Sequence, residues 1–141
     1  MQKIYCNEKY LLLFVAAALM VSCHESLEKR AQREAREYTE KNCPTPWYNY
    51  TRTDSVVFNT ATRTYTYYCS VNDKMDDATL IADHEKDITN GLRTELTQNT
   101  GLKTYKEAGY NFAYVMRSDK NKQQVLYKHT FTAAELGATT K

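Results

Sequence analysis

The feature that most constrains this chain is an uninterrupted apolar stretch near its amino terminus, from Tyr10 to Val21. Lys3 and Lys9 give this stretch a positive flank. Its 12 residues are fewer than the roughly 20 that a helix needs to cross a hydrocarbon core of about 30 Å. A basic flank before a short apolar stretch is typical of a secretory signal. We therefore predict that the chain begins with a secretory signal peptide.

The end of the apolar stretch, Leu19-Met20-Val21-Ser22-Cys23, resembles the lipobox of bacterial lipoproteins. In that family signal peptidase II cuts before the cysteine, and a diacylglycerol is attached to its sulfur. The resemblance departs at Met20, where the family usually has leucine. It implies that residues 1–22 are the signal peptide, that residues 23–141 form the folded domain, and that Cys23, the first mature residue, carries the lipid. It also implies that the protein is held at a membrane of the bacterial cell envelope, such as the outer membrane, on its periplasmic or surface side. An ordinary cleaved signal and an uncleaved anchor are the alternatives.

Composition restricts the functions open to the remaining 119 residues, which are enough for one domain with one core. The full chain carries a net charge of +2 and has no isolated basic patch, so nucleic-acid binding is not expected. With 3 histidines and 4 glycines in all, the chain shows neither a recognised metal-ligand spacing nor a glycine loop that could cradle phosphate. We predict no metal, no cofactor and no catalytic residues.

Two cysteines lie in the predicted domain, Cys43 and Cys69. In an exported protein such a pair is a candidate disulfide. The alternative is that Cys69 packs inside as a small hydrophobic residue, because it alternates with the tyrosines of a predicted strand. The sequence leaves both open.

The pattern of apolar residues predicts two helices and two hairpins in alternation. The helices cover about 27–41 and 76–98, where apolar residues recur at helical spacing, and the hairpins cover about 53–71 and 110–131, which are rich in β-branched and aromatic residues. We predict an α+β domain in which a four-stranded antiparallel sheet carries both helices on one face.

Alternation along the strands predicts which face is covered. Tyr65, Tyr67 and Cys69 point to one side, as do Phe112 and Tyr114, and we call this the aromatic face. The opposite side, called here the open face, has no remaining element to cover it. We predict a binding surface there, because tyrosine and arginine are the residue types that carry interface energy. Its proposed residues are Thr66, Tyr68, Arg117 and Lys128.

A second resemblance covers most of the predicted domain. Cys43-Pro44, then Thr53-Asp54-Ser55-Val56, then Thr64-Tyr65-Thr66-Tyr67-Tyr68 resembles an uncharacterised family of small exported bacterial proteins. The family has no assigned activity, so the resemblance implies no catalytic residues. The element order is also similar to one seen in secreted inhibitor and peptidase-regulating domains, which is an analogy of fold alone.

These observations favour a lipid-anchored, non-enzymatic binding module that meets a protein or peptide through its open face. A structural envelope lipoprotein without a specific ligand is the first alternative, and a secreted inhibitor-like or peptidase-regulating domain is the second. An enzyme is the least supported class, because no nucleophile, metal set or cofactor loop stands out.

Overall fold

The computed structural model describes residues 24–137. The predicted signal peptide and Cys23 lie outside the described residues. Four helices and four strands follow one another along the chain: α1 Leu27–Asn42, β1 Thr51–Asn59, β2 Thr64–Val71, α2 Ala78–Asp83, α3 Glu85–Gln98, α4 Lys103–Glu107, β3 Asn111–Ser118 and β4 Val125–Phe131. Short 3₁₀ turns precede α2 and α4. The predicted α+β class is confirmed, with the helices packed against one four-stranded sheet.

Helix α1 begins at a polar cap and lies against the first strand. The side chain of Ser26 accepts a hydrogen bond from the Lys29 N–H, which satisfies one of the free donors of the first turn. Ala31 and Ala35 are buried against the core, and their small side chains bring the helix close to the sheet. Burial on this helix is therefore thin, as the alanine-rich pattern predicted.

The outer edge of β1 is protected by side chains rather than by another strand. The Thr39 hydroxyl of α1 accepts from the Val56 N–H at 2.8 Å and donates to the Val56 carbonyl at 2.9 Å. Next to it, the Thr45 hydroxyl accepts from the Thr53 N–H at 3.0 Å. Backbone groups that would otherwise invite another strand are thereby satisfied.

The predicted helix over 76–98 is divided in two. Asp77 caps α2 by accepting from the N–H groups of Thr79 and Leu80, as expected for a carboxylate at a helix start. His84 leaves the helical conformation (φ −105°, ψ 13°) and separates α2 from α3. Each of the two helices buries one apolar side chain, Ile81 on α2 and Leu96 on α3.

The sheet has strand order β1-β2-β3-β4 and is mixed. The β1–β2 and β3–β4 pairs are antiparallel, as predicted. The prediction of a wholly antiparallel sheet is wrong for the central pair, because β2 and β3 run parallel, with Thr64 opposite Asn111 and Val71 opposite Ser118. The cause is the long connection through α2, α3 and α4, which returns the chain to the end of the sheet where β2 began. Parallel strands require such a crossover.

The core lies on the aromatic face, as the alternation predicted. Tyr110, Phe112 and Phe131 are fully buried there. The rings of Tyr65 and Phe112, which are register partners across the parallel pair, stack with centroids 5.7 Å apart. The buried side chains of all four helices join the same cluster. Within residues 24–137, no helix combines the length and hydropathy needed to cross a membrane.

Lys106 holds the end of α3. It is 9% exposed, and its ammonium donates to the carbonyls of Leu96, Thr97 and Asn99 at 2.7, 3.0 and 3.0 Å. The last carbonyls of a helix lack partners within the helix and form the negative end of its dipole. A buried cation there donates hydrogen bonds to these carbonyls and is attracted by the dipole.

Replacing this lysine by methionine keeps the apolar stem and removes the donor. We expect Lys106→Met to lower the free energy of unfolding by about 2–3 kcal/mol, because charged hydrogen bonds are lost and carbonyls remain buried without partners. Urea denaturation measures the change. The exposed neighbour Lys103 provides the matched control, and Lys103→Met is expected to change stability by no more than about 0.5 kcal/mol. Equal losses in the two variants would contradict this role.

Candidate functional site

The four residues predicted to form a binding surface lie together on the open face. Tyr68 is the register partner of Val115, which is in turn the partner of Lys128, so the three form one rung across the sheet. Thr66 lies two residues earlier on the same strand face. The Arg117 guanidinium stands 5.8 Å from the centroid of the Tyr68 ring, within reach of a cation–π contact.

The exposed side chains of the open face are of mixed character. Val57 is 50% exposed there, and Lys128 and Arg117 are also exposed. At one corner the Ser70 hydroxyl donates to Asp54 at 2.5 Å, and Asp54 accepts from Arg52 at 2.9 Å, so these polar groups are already paired. The structure brings the predicted residues together on one surface.

A cleft of about 570 Å³ opens on the other side of the sheet, between α1 and α3. The sheet supplies its floor and the two helices supply its walls. Its volume is within the range of small-molecule and peptide pockets, about 300–1,000 Å³. Six tyrosines line it, together with aliphatic side chains of both walls: Tyr38, Tyr48, Tyr65, Tyr67, Tyr105, Tyr114, Ala35, Leu92 and Leu96. The sequence analysis missed this cleft. The available signal was the alanine stripe of α1, which is too small to fill the space above a row of tyrosines.

Two stacked tyrosines form the centre of the floor. The rings of Tyr67 and Tyr114 lie nearly parallel, with centroids 4.8 Å apart. Neither hydroxyl has a hydrogen-bond partner among residues 24–137. Burial is the main cause that raises the pKa of both phenols well above the usual range. Both hydroxyls are therefore neutral at physiological pH and can donate or accept a hydrogen bond within the cleft.

Each wall of the cleft contributes a carboxylate. Glu34 on α1 accepts from the Tyr105 hydroxyl at 2.5 Å and from Arg30 at 2.8 Å. Burial alone would raise the pKa of Glu34, but these two hydrogen bonds outweigh it and lower the pKa. Glu95 on α3 is exposed and has no ion pair within the described part of the chain. Glu95 lines the cleft, and after burial its charge is the largest cause that raises the pKa of Tyr67.

A tight hairpin of aromatic residues stands at the mouth of the cleft. Tyr48 and Thr51 exchange two backbone hydrogen bonds, and the residues between them, Asn49 and Tyr50, both have positive φ (47° and 64°). Such a turn suits asparagine or glycine and is strained for tyrosine. It displays Tyr48 at 78% exposure and Tyr50 at 41%. The Arg52 guanidinium lies 4.6 Å above the Trp47 ring and holds it beside them. Exposed aromatic residues at the edge of a recess are typical of an interaction site.

The two cysteines lie near one wall of the cleft. Cys43 ends α1 and Cys69 is buried in the floor, and both are free thiols in the structure. Burial raises the pKa of Cys69 to about 11 and outweighs the lowering effect of a hydrogen bond with Thr53, while the nearby Asp54 carboxylate acts in the same direction as burial. The structure therefore brings the two thiols into the same region, and their pairing stays a prediction.

Over residues 24–137, no group of three or more histidines, cysteines, aspartates and glutamates converges as a metal would require. His84 is exposed on the break between α2 and α3, and His129 packs against the Phe131 ring with centroids 4.4 Å apart.

Comparison with known protein families identifies the family of this chain. A family described as a domain of unknown function, DUF8479, matches residues 26–127. The chain belongs to this family. The match covers α1, all of β1 to β3 and the start of β4, and so includes both walls and the floor of the cleft. No curated protein sequence matches the chain.

Three solved structures are similar in fold. PA3611 of Pseudomonas aeruginosa, a predicted secreted protein, has a TM-score of 0.65 at 17% identity, over 79% of this chain and 98% of its own. EpsS, a type 2 secretion system pilotin from Vibrio vulnificus, has a TM-score of 0.61 at 13% identity, over 78% of this chain and 91% of its own. AspS, a type II secretion system pilotin from Vibrio cholerae, has a TM-score of 0.58 at 13% identity, over 77% of this chain and 91% of its own. At these identities the similarity shows a shared fold alone.

The difference in environment between the two thiols predicts a difference in reactivity. At pH 8 a thiol whose pKa is about 11 is roughly one part in a thousand thiolate, and only the thiolate reacts. In the reduced, folded protein we expect iodoacetamide to modify half-buried Cys43 much faster than buried Cys69, as read by peptide mass spectrometry. Equal rates would contradict the burial of Cys69. In protein purified without reductant, protection of both residues until reduction would establish the disulfide.

Proposed function

We propose that this chain is an exported, lipid-anchored, non-enzymatic protein of the bacterial envelope that binds a segment of a partner protein in the α1–α3 cleft. The observation that carries the proposal is the cleft itself, a 570 Å³ recess lined by tyrosines and bordered by an exposed aromatic hairpin. Concave, mostly apolar sites with a few polar groups are the usual form of a binding site. The lining supplies tyrosine hydroxyls and two carboxylates, but no nucleophilic side chain that is hydrogen-bonded to a base.

The shared fold supports the envelope location. One similar structure is described as secreted, and two are pilotins of a secretion system. The sequence adds the signal-like stretch and the lipobox resemblance at Cys23. Together these favour a domain that works outside the cytoplasm, attached by its amino terminus.

The position of the cleft fits this attachment. Helix α1 starts four residues after Cys23, and its 16 residues extend about 24 Å at 1.5 Å per residue. The aromatic hairpin follows the far end of that helix. A lipid on Cys23 would therefore hold one end of α1 at the membrane and leave the mouth of the cleft directed toward partners.

The open face is the second candidate surface, and the contact between Arg117 and Tyr68 supports it. It lies on the opposite side of the sheet from the cleft, so each surface can be altered without touching the other. An envelope lipoprotein with no specific partner, and an inhibitor-like or peptidase-regulating domain, remain the alternatives to a binding module.

Photo-crosslinking in the native cells distinguishes these possibilities. With benzoylphenylalanine in place of Tyr48 at the cleft mouth, we expect a discrete crosslinked partner. Leu92→Glu, which puts a charge into the cleft wall, is expected to remove that crosslink. Val57→Glu is the matched control, because it puts the same charge on the open face. Thermal unfolding by circular dichroism checks that both variants fold.

The same experiment tests the open face. If benzoylphenylalanine at Val57 captures a partner that is lost in the Tyr68→Ala, Arg117→Ala double variant and kept in Leu92→Glu, the open face is the binding surface and the cleft is not. If neither position gives a specific crosslink, the binding function itself is overturned.

The anchor is tested separately. We expect the wild-type protein to fractionate with membranes and to have the mass of residues 23–141 plus acyl chains. Cys23→Ala is expected to prevent acylation, so that the acylated form is no longer found. Cys43→Ala is the matched control and is expected to remain acylated. A wild-type mass without acyl chains would remove the lipid anchor from the proposal and leave a domain exported without one.

A further inference from the structure

The charges around the cleft are unequal, and this difference points to the chemistry of its occupant. Three charged side chains line the cleft in the described structure: Glu34, Arg52 and Glu95. Arg52 is already occupied, because its guanidinium is 2.9 Å from Asp54 and lies over the Trp47 ring. The single cation of the lining is therefore neutralised within the protein.

The two carboxylates of the cleft differ in whether a cation of the protein pairs with them. Glu34 is neutralised by Arg30, whose guanidinium is 2.8 Å away. Glu95 lies on the opposite wall, and no lysine, arginine or histidine between residues 24 and 137 approaches within ion-pair distance of it. The cleft thus contains one uncompensated negative charge, above a floor of aromatic rings and beside the aliphatic side chain of Leu92.

We propose that the segment bound in this cleft carries a lysine or arginine beside apolar side chains, and that Glu95 binds the cation above the Tyr67–Tyr114 stack. This inference rests on the proposed function, since it specifies the partner of the same cleft. The apolar stem of a lysine or arginine packs on the aliphatic wall while its charged end reaches the carboxylate. The hydroxyls of Tyr67 and Tyr114 can also accept a hydrogen bond from the same cation.

The same charge disfavours the other large classes of partner. Phospholipid surfaces and nucleic acids present phosphates, which Glu95 repels, and an acidic peptide meets the same repulsion. Like-charge contacts of this kind give specificity by rejecting wrong partners. A basic, partly apolar protein segment is the occupant that satisfies both the charge and the aromatic floor.

A matched pair of peptides tests the proposal with the full domain. The probes are acetyl-Leu-Phe-Arg-Leu-amide and acetyl-Leu-Phe-Glu-Leu-amide, and the readout is the dissociation constant from calorimetry or from the fluorescence of Trp47 at the cleft mouth. We expect the arginine peptide to bind at least fivefold more tightly at low salt. We expect Glu95→Gln to weaken it by about two- to fivefold, the range of a solvent-exposed ion pair.

Charge reversal gives the sharper outcome. Glu95→Lys is expected to reverse the preference, so that the glutamate peptide binds more tightly than the arginine peptide. Glu40→Lys is the matched control: it makes the same change of charge at an exposed position of α1 outside the cleft, and it is expected to preserve the preference of the wild type.

The outcomes separate this inference from the proposed function. Equal binding of the two peptides, with both lost in Leu92→Glu, overturns the role of Glu95 and leaves the cleft as the binding site. Binding that persists in Leu92→Glu overturns the cleft. Absence of binding by either peptide overturns the cation preference, while the crosslink at Tyr48 still decides the proposed function. A dimer in light scattering that Leu92→Glu dissociates would make a second copy of the chain the occupant and overturn the inference.

Discussion

The parallel pairing of β2 with β3 governs which elements can face one another on this sheet. Two parallel neighbours cannot be joined by a tight turn, so the chain must travel back along the sheet before β3 begins. That return carries α2, α3 and α4 across the aromatic face. Helix α1, which precedes the sheet, lies over β1 on the same face. The two walls of the cleft therefore come from separate parts of the chain, and the central strands lie between them.

The same ladder of aromatic residues serves both the core and the cleft. On alternate rungs of the β2–β3 pair, Tyr65 stacks on Phe112 and Tyr67 stacks on Tyr114. The first rung is covered, because Tyr65 also contacts Phe58 and Tyr105 with centroids 4.8 and 5.3 Å away. Phe112 of the first rung is fully buried and does not line the cleft, whereas both tyrosines of the second rung line it. A regular strand pattern thus gives a closed core at one end and a tyrosine floor at the other.

Polar contacts at the margins hold this arrangement without filling the cleft. Thr39 attaches α1 to the edge of β1, and Lys106 attaches the segment after α3 to the last carbonyls of that helix. Both contacts satisfy backbone groups that would otherwise lack partners. The walls are therefore fixed in place by hydrogen bonds as well as by packing. A recess with fixed walls binds a partner segment without first being ordered, which reduces the entropic cost of association.

Local rules in the sequence determined the elements and their faces. Alternation assigned Phe112 and Tyr114 to the covered side and Tyr68 and Arg117 to the other, because side chains alternate strictly along a strand. The carboxylate of Asp77 marked the start of α2 through the free N–H groups of a helix end. Only the tertiary structure decided the direction of β3, since pairing direction depends on how a long connection packs and not on the residues of the strands. It also decided the cleft, because an empty volume is a property of the distance between α1 and α3, and neither helix encodes that distance alone. The isolation of Glu95 followed for the same reason: whether a carboxylate finds a cation depends on neighbours that the fold brings from elsewhere in the chain.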